Sequence, residues 1–366
     1  MLHYILTSLP MFVCVFMTIQ LGIEYIQHRN NTHLWLILWS VVAMVLYACH
    51  FAYFNRIEHF FPVWDTVYSV CNLLVFPLYL IYISEITDNK PLSRFPFVYA
   101  ILAVIAALPP VLLIVFQSQT IMHLVCQFLF ALLVIMVTWA VWIRINRFNS
   151  MLNQLYADTD DKSLRQLGRL LLVFMTIAIT SVIVNAIGRA WFAGSDRTNL
   201  FLIGFVSIAY STFLFVIGWM GLHQDFSVRS IPDDTSRDSE LEGGERNLFR
   251  ISPTDELPNS VVDERIRRIA LAFENLMNTE RCYLQPNLKL DDISRRLGTN
   301  RTYLLAAINS SQHMTFSEYV NRRRIAHAKR LMEEDPNISR RDIALRCGYN
   351  TLRTFYRNME VFGGGI

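Results

Sequence analysis

Apolar and polar positions follow two different rhythms along this chain. Up to about residue 222, long apolar runs alternate with short polar breaks, the runs covering 3–27, 33–54, 63–86, 96–117, 121–143, 168–190 and 199–222. Each is close to the roughly 20 residues that a helix needs to cross about 30 Å of hydrocarbon, so seven membrane-spanning helices are predicted. Trp35, Trp64, Trp139, Trp142, Trp191 and Trp219 fall near the ends of these runs, where an amphipathic indole suits the headgroup region. Pro77, Pro109 and Pro110 each remove a donor from a helix ladder and mark the expected kinks.

After residue 222 the pattern breaks. Residues 223–260 hold Asp225, Asp233, Asp234, Asp238, Glu240, Glu242, Glu245, Asp255 and Glu256, with Gly243, Gly244, Pro232, Pro253 and Pro258, and keep no apolar period. This composition predicts a flexible acidic linker. From 261 to 366 apolar residues return at the 3.6-residue period, in segments too short and too polar to be spans. One polar connection within the apolar region stands apart by its length: Arg144 to Arg169, "RINRFNSMLNQLYADTDDKSLRQLGR". Met151, Leu152, Leu155 and Tyr156 recur there at helical spacing, so the fifth span is expected to continue as an amphipathic helix able to touch the tail or a second subunit.

Composition supports the membrane reading. The chain of 366 residues is 53% hydrophobic, 13% aromatic and 17% charged, with mean hydropathy +0.31, too apolar for an ordinary soluble enzyme of this length. Residues 1–27 lack a basic segment and an A-x-A cleavage signal, so they are read as a retained span. The net charge of +3 conceals an uneven distribution, because residues 1–222 hold only 11 of the 33 Lys+Arg. Arg29, Lys90, Arg94, Arg144, Arg147, Lys162 and Arg165 lie in the connections after spans one, three and five, with Arg169 just beyond. The opposite set carries Arg56, Arg189 and Arg197. The positive-inside bias then predicts an N-terminus outside and a tail in the cytoplasm.

Glu24, Glu85, Asn185 and Arg189 are the candidate sensor residues of the bundle, since a charge at mid-bilayer costs about 2.5–3.5 kcal/mol and is expected to face the interior or a cavity. The alternative is structural: Glu24, Glu85 and Arg189 lie near span ends and can reach the interface, and Asn185 can bond between helices. His50 and His123 are isolated within spans. The six cysteines form no CxxC or Cys/His cluster, so neither a metal site nor a disulfide framework is implied. No HExxH, GxSxG, P-loop or GxGxxG with a strand context is present. The chain is therefore not expected to be an enzyme or to carry a cofactor. A transporter or channel with a basic regulatory tail is the competing class; it would call for paired intramembrane charges and internal repeats.

The tail carries the chemistry. Residues 261–366 hold eighteen Lys+Arg against twelve Asp+Glu, a net charge of +6 that suits a polyanion. "LKLDDISRRLGTNRTYLLAAIN" reads as two short helices about a tight turn: Asp291 is expected to cap the first, Ile293 and Leu297 to face inward, Gly298 to break it, and Asn300 to cap a second that buries Leu304 and Ile308. A small-residue turn between short amphipathic helices is the helix-turn-helix pattern. It recurs in "SRRDIALRCGYNTLRTFYRNM": Ile343, Ala344 and Cys347 face inward, Gly348 makes the break, and Asn350 or Thr351 starts a helix burying Phe355 and Met359. Between the two units, "MTFSEYVNRRRIAHAKRLMEED" predicts a longer connecting helix with Phe316, Val320, Ala328 and Leu331 packed on both halves.

Through "LDDISRRLG", "TFSEYVNRRRIAHAKRLM" and "DIALRCGY" followed by Phe355, residues from about Tyr283 to Arg357 resemble the DNA-binding domain of the AraC/XylS family of bacterial transcription regulators. Two departures stand out. Met359 and Glu360 occupy the place where that family usually has an aromatic followed by lysine, and "VFGGGI" stands in place of its closing Pro and Tyr-Arg segment. The C-terminal end is therefore expected to be shortened relative to the family. The apolar region has no counterpart in the resemblance.

The combined expectation is an all-α protein: a seven-helix transmembrane region over 1–222, the linker over 223–260, and the helix-turn-helix domain over 261–366. It is expected to act as a membrane-bound one-component regulator in which the bundle senses a signal ligand and the tail binds promoter DNA. Asn300, Arg301, Thr302, Tyr303, Asn350, Thr351, Arg353 and Arg357 are the candidate base-reading residues; Arg322 and Arg323 are the candidate phosphate contacts. Double-stranded DNA, the lipid bilayer, RNA polymerase and a second copy of the chain are the expected partners.

Overall fold

The computed structural model describes residues 2–54, 61–159, 162–173, 175–177, 179, 196–222 and 259–363. The protein is all-α, a bundle of apolar helices and a helix-turn-helix region. By contacts it divides into two compact units, one of residues 1–147 and 164–231, the other of 148–163 and 232–366.

The first unit contains α1 (Leu2–His28), α2 (Asn31–Phe54), α3 (Phe61–Thr87), α4 (Pro96–Phe116), most of α5 (Gln119–Leu155) and α6 (Asp196–Leu222). Helix bounds follow the apolar runs closely because a helix alone satisfies every backbone group within one segment. Pro77, Pro109 and Pro110 lie inside α3 and α4, which continue through them. Among the described residues five helices are long and apolar enough to cross a membrane. Only 6% of the most apolar window of α4 is buried, with Val104, Ile114, Val115 and Phe116 exposed. Large side chains displayed around a helix in this way need an apolar solvent.

Of the predicted sixth span, residues 168–173 are helical; Asn185, Arg189 and Trp191 lie outside the described residues, as do Arg56 and linker residues 223–258. Helix α7 begins at Asn259, within the predicted linker.

Several polar groups inside this unit have partners within it. Ser69, Ser84 and Thr87 donate to carbonyls three or four residues earlier, and Thr18 bonds Ser40 across α1 and α2 at 2.9 Å. Glu85 is buried and accepts from the Ser93 hydroxyl, while Glu24 pairs with His28 one turn later at 3.2 Å. His123, isolated in the sequence, is paired in space: its Nε2 lies 3.2 Å from an Asp65 carboxylate oxygen. His50 packs between the Tyr47 and Tyr68 rings. Arg144 reaches Asp88 at 3.2 Å. The His123–Asp65 and Arg144–Asp88 pairs link positions too distant in sequence for a span-by-span reading to join.

The second unit contains α7 (Asn259–Thr279), α8 (Leu290–Arg296), α9 (Arg301–Gln312), α10 (Phe316–Glu334), α11 (Arg340–Arg346) and α12 (Leu352–Phe362). Helix α10 is shared by two cores. Its first half gives Phe316, Tyr319 and Val320 to a core with Phe273, Met277, Ile293, Leu304 and Ile308. Its second half gives Ile325 and Ala328 to a core with Ile343, Ala344, Cys347, Tyr349 and Phe355. Thr315 caps α10, accepting from the Glu318 amide at 3.3 Å. The amphipathic continuation of α5 belongs to this unit: Leu152 is fully buried, and Ala157, with Leu155 packed beside it, enters the first core.

Candidate nucleic-acid interface

The two helix-turn-helix units are built on the same turn. At the end of α8, the Gly298 amide donates to Arg295 and the Thr299 amide to Ser294; at the end of α11, the Gly348 amide donates to Leu345 and the Tyr349 amide to Ala344. This is the Schellman arrangement, which satisfies the last carbonyls of a helix when the residue after the cap turns left-handed. Gly298 (φ 61°) and Gly348 (φ 80°) supply that turn. They differ in surroundings. A Cβ on Gly298 would meet nothing within 4 Å, whereas one on Gly348 would lie 2.5 Å from the Leu284 carbonyl oxygen.

The second helices then start on side-chain caps. Asn300 accepts from the Tyr303 amide at 2.9 Å and Thr351 from the Thr354 amide at 3.2 Å. Thr351, not Asn350, is the cap of α12, and Asn350 donates instead to Asn287 at 2.6 Å. Asp291 does not cap α8, contrary to the sequence reading. The α8 cap position is Lys289, whose amide donates to Asp292 at 3.1 Å, which frees Asp291 to pair with Arg301 at 3.2 Å.

The candidate base-reading residues separate into two groups. Thr302, Asn350, Thr351 and Arg353 are exposed. Tyr303 is half-buried beneath the Arg265 guanidinium, 4.7 Å from its ring centroid. Arg301 is buried and tied to Asp291, so it braces α9 against α8. Arg357 is half-buried; burial lowers its proton affinity and the Asp158 carboxylate opposes that shift.

Both candidate phosphate residues are held by carboxylates. Arg322 pairs with Glu318 at 2.8 Å, and Arg323 with Glu274 at 2.5 Å while also donating to Asn278. The Arg322 pair is an exposed (i, i+4) contact, a type that is weak and screened by salt. A phosphate can displace it more readily than the half-buried Arg323 pair.

Sequence reasoning took Arg324 as part of the family resemblance and gave it no role. It is the most consequential side chain of the region. Fully buried, it donates from Nε to the Tyr283 carbonyl at 2.6 Å and from Nη2 to the Gln285 carbonyl at 2.7 Å, and its guanidinium lies 5.1 Å from the Tyr349 ring centroid. Burial lowers its proton affinity, while Tyr349, Asp158 and Cys347 act in the opposite sense. Asn321, also buried, donates to the Ala157 carbonyl at 2.9 Å. The signal was present: Arg324 is four residues from both Val320 and Ala328, on the apolar face of α10, whereas Arg322 and Arg323 are not.

Two adjoining helix-turn-helix units on a shared helix define a DNA-binding regulatory module. Residues 293–362 match the family model described as "Helix-turn-helix domain", which supports an AraC-type regulator C-terminus. No curated protein and no solved structure matches the chain.

Proposed function

We propose that the chain is a membrane-bound one-component transcription regulator: its apolar bundle, with seven passes and an outside N-terminus, receives a signal, and its cytoplasmic C-terminal unit binds promoter DNA. The observation that carries this reading is the joining in one chain of apolar helices displaying bare hydrophobic side chains with a duplicated, identically turned helix-turn-helix region. Helices α9 and α12 enter successive major grooves, about one helical turn or roughly 34 Å apart. Exposed Thr302, Asn350, Thr351 and Arg353, with half-buried Tyr303, meet base edges, and Arg322 holds phosphate. Glu24 and Glu85 belong to the sensing bundle together with Asn185 and Arg189, and RNA polymerase and a second copy of the chain are its proposed partners.

The test is to recover and sequence DNA fragments that co-purify with the tagged full chain from membranes, together with reporter fusions after Thr120 and Gln224. The expected result is a discrete set of promoter fragments, an outside report at Thr120 and an inside report at Gln224. An outside report at Gln224 would defeat the reading, because the tail could not meet DNA.

A further inference from the structure

A three-residue stretch at the end of α5 is bonded to the loop before the first helix-turn-helix unit and to the shared helix α10. The Ala157 amide donates to the Leu288 carbonyl at 3.0 Å, and the Ala157 carbonyl accepts from Ser317 Oγ and Asn321 Nδ2, each at 2.9 Å. Tyr156, the residue before, forms an isolated antiparallel bridge with Lys289. Its ring lies 6.0 Å from the Lys289 ammonium and 5.5 Å from that of Lys162. It is also near enough to Arg301 and Asp291 to feel their charges, which places it beside the start of α9. Asp158, the residue after, is buried to 7% exposure and acts electrostatically on Arg324, Tyr349 and Arg357, all in or against the second unit.

The chemistry of these contacts is reversible. Three hydrogen bonds to the Ala157 backbone, two of them from side chains, and one buried methyl can be exchanged for water at modest net cost, since intramolecular hydrogen bonds contribute only about 0.5–1.5 kcal/mol each. The Asp158 carboxylate is different, because it offers a cation of α12 what a DNA phosphate would offer it: a negative oxygen in a partly dry setting. Asp158 acts electrostatically on Arg357, so docking of the segment and engagement of phosphate by that guanidinium oppose one another. Met151 to Leu155 join the segment to α5 without a break, so a displacement of that helix reaches Ala157 directly. The long acidic linker need carry no movement.

We propose that Tyr156–Asp158 is an intramolecular lock: docked through Ala157 on Leu288, Ser317 and Asn321, it fixes the helix-turn-helix region to the end of α5; released, it frees that region, Arg357 included, to meet DNA phosphate. The inference rests on the DNA-binding reading above. It makes α5 the route by which the bundle changes DNA affinity, through a coupling between two sites that is reciprocal by linkage.

The experiment uses the full chain in detergent micelles and a mixed-sequence duplex of about 30 base pairs, long enough for two successive grooves. Affinity is measured across a salt series for the parent, Asp158→Asn, Arg357→Ala and the double variant. Asp158→Asn is expected to tighten binding by about fivefold or more and to steepen the salt slope by about 0.9, the value of one added phosphate contact. Both gains should vanish in the Arg357→Ala background. Independently of any variant, hydrogen exchange in residues 153–159 of the parent should speed up when duplex saturates the protein.

Unchanged or weaker binding by Asp158→Asn, an equal gain with Arg357→Ala present, or undiminished protection of 153–159 in the saturated complex would each overturn the lock. If neither parent nor variants bind duplex at any salt, the DNA-binding reading falls and the lock falls with it.

Discussion

Arg324 on α10 and the backbone of Tyr283 are joined by a hydrogen bond of 2.6 Å inside the protein, with the same guanidinium reaching Gln285 and covering the Tyr349 ring. One planar group thereby ties the loop before the first helix-turn-helix unit to the turn of the second. The Leu284 carbonyl, between those two acceptors, is the atom that approaches Gly348 most closely. Together with the Asn350–Asn287 bond, this contact joins the loop before the first unit to the second unit, beyond the helix α10 that the two cores share.

Replacing Arg324 by Met should therefore cost more than replacing any exposed arginine. The buried Tyr283 carbonyl and the part-buried Gln285 carbonyl lose charge-assisted donors, and the expected loss is about 1.5–3 kcal/mol for each bond. Arg324→Lys should recover only part of it, since an ammonium cannot present two donors in a fixed fork. Global hydrogen-exchange protection of core amides in α10 gives the measurement, and equal protection in parent and Arg324→Met would refute the assignment.

The two turn glycines should respond unequally to alanine. Gly298→Ala meets only the left-handed backbone penalty of about 1–2 kcal/mol, because its surroundings are open. Gly348→Ala adds a clash with Leu284 and should exceed it clearly. Thermal unfolding of the two variants side by side decides, and equal losses would show that the Leu284 approach relaxes freely.

Arg353→Ala should relax sequence preference, because a bidentate arginine–guanine contact discriminates by about 1–3 kcal/mol. Arg322→Ala should weaken binding to all duplexes alike and lower the salt slope by about 0.9. Arg323→Ala should act mainly on stability, through its pairing with Glu274 and Asn278. Binding to the recovered fragment and to a scrambled duplex of equal length separates the three; equal loss on both duplexes for Arg353→Ala would remove it from the base-reading set.

Cys347 should be inert. Burial pushes its thiol up to about 11, with Arg324 opposing, so about a hundredfold fewer thiolates exist at a given pH than at the ordinary value of 9.0. The folded state favours the neutral thiol. Its contribution to stability is complete below about pH 9 and falls as pH rises from about 9 to 11. Alkylation of the full chain at pH 8, followed by peptide mapping, should leave Cys347 unmodified until the protein is unfolded.

The helices were legible to within a few residues wherever periodicity and end signals agreed. Gly298 and Gly348 were read correctly as breaks, and Asn300 as a cap, because a left-handed turn and an N-terminal acceptor are local requirements that few residue types meet. Asp291 was misread for the opposite reason: two adjacent aspartates at a helix start are equivalent in sequence, and only the proximity of Arg301 separates the ion-pairing one from Asp292, which accepts the Lys289 amide.

By itself the sequence determined the all-α class, the apolar helices, the duplicated helix-turn-helix pattern and the inward faces of its short helices. These follow from backbone hydrogen bonding and from burial of one face at a time, which act over three or four neighbours. The pairing of His123 with Asp65, the inward role of Arg324 amid three consecutive arginines, and the seating of Ala157 against Leu288 and Asn321 were decided by tertiary structure alone. Each joins residues 41 or more positions apart, up to 164 for Ala157 and Asn321, and a charge or a carbonyl chooses its partner by distance and desolvation, neither of which is written in the local order of residues.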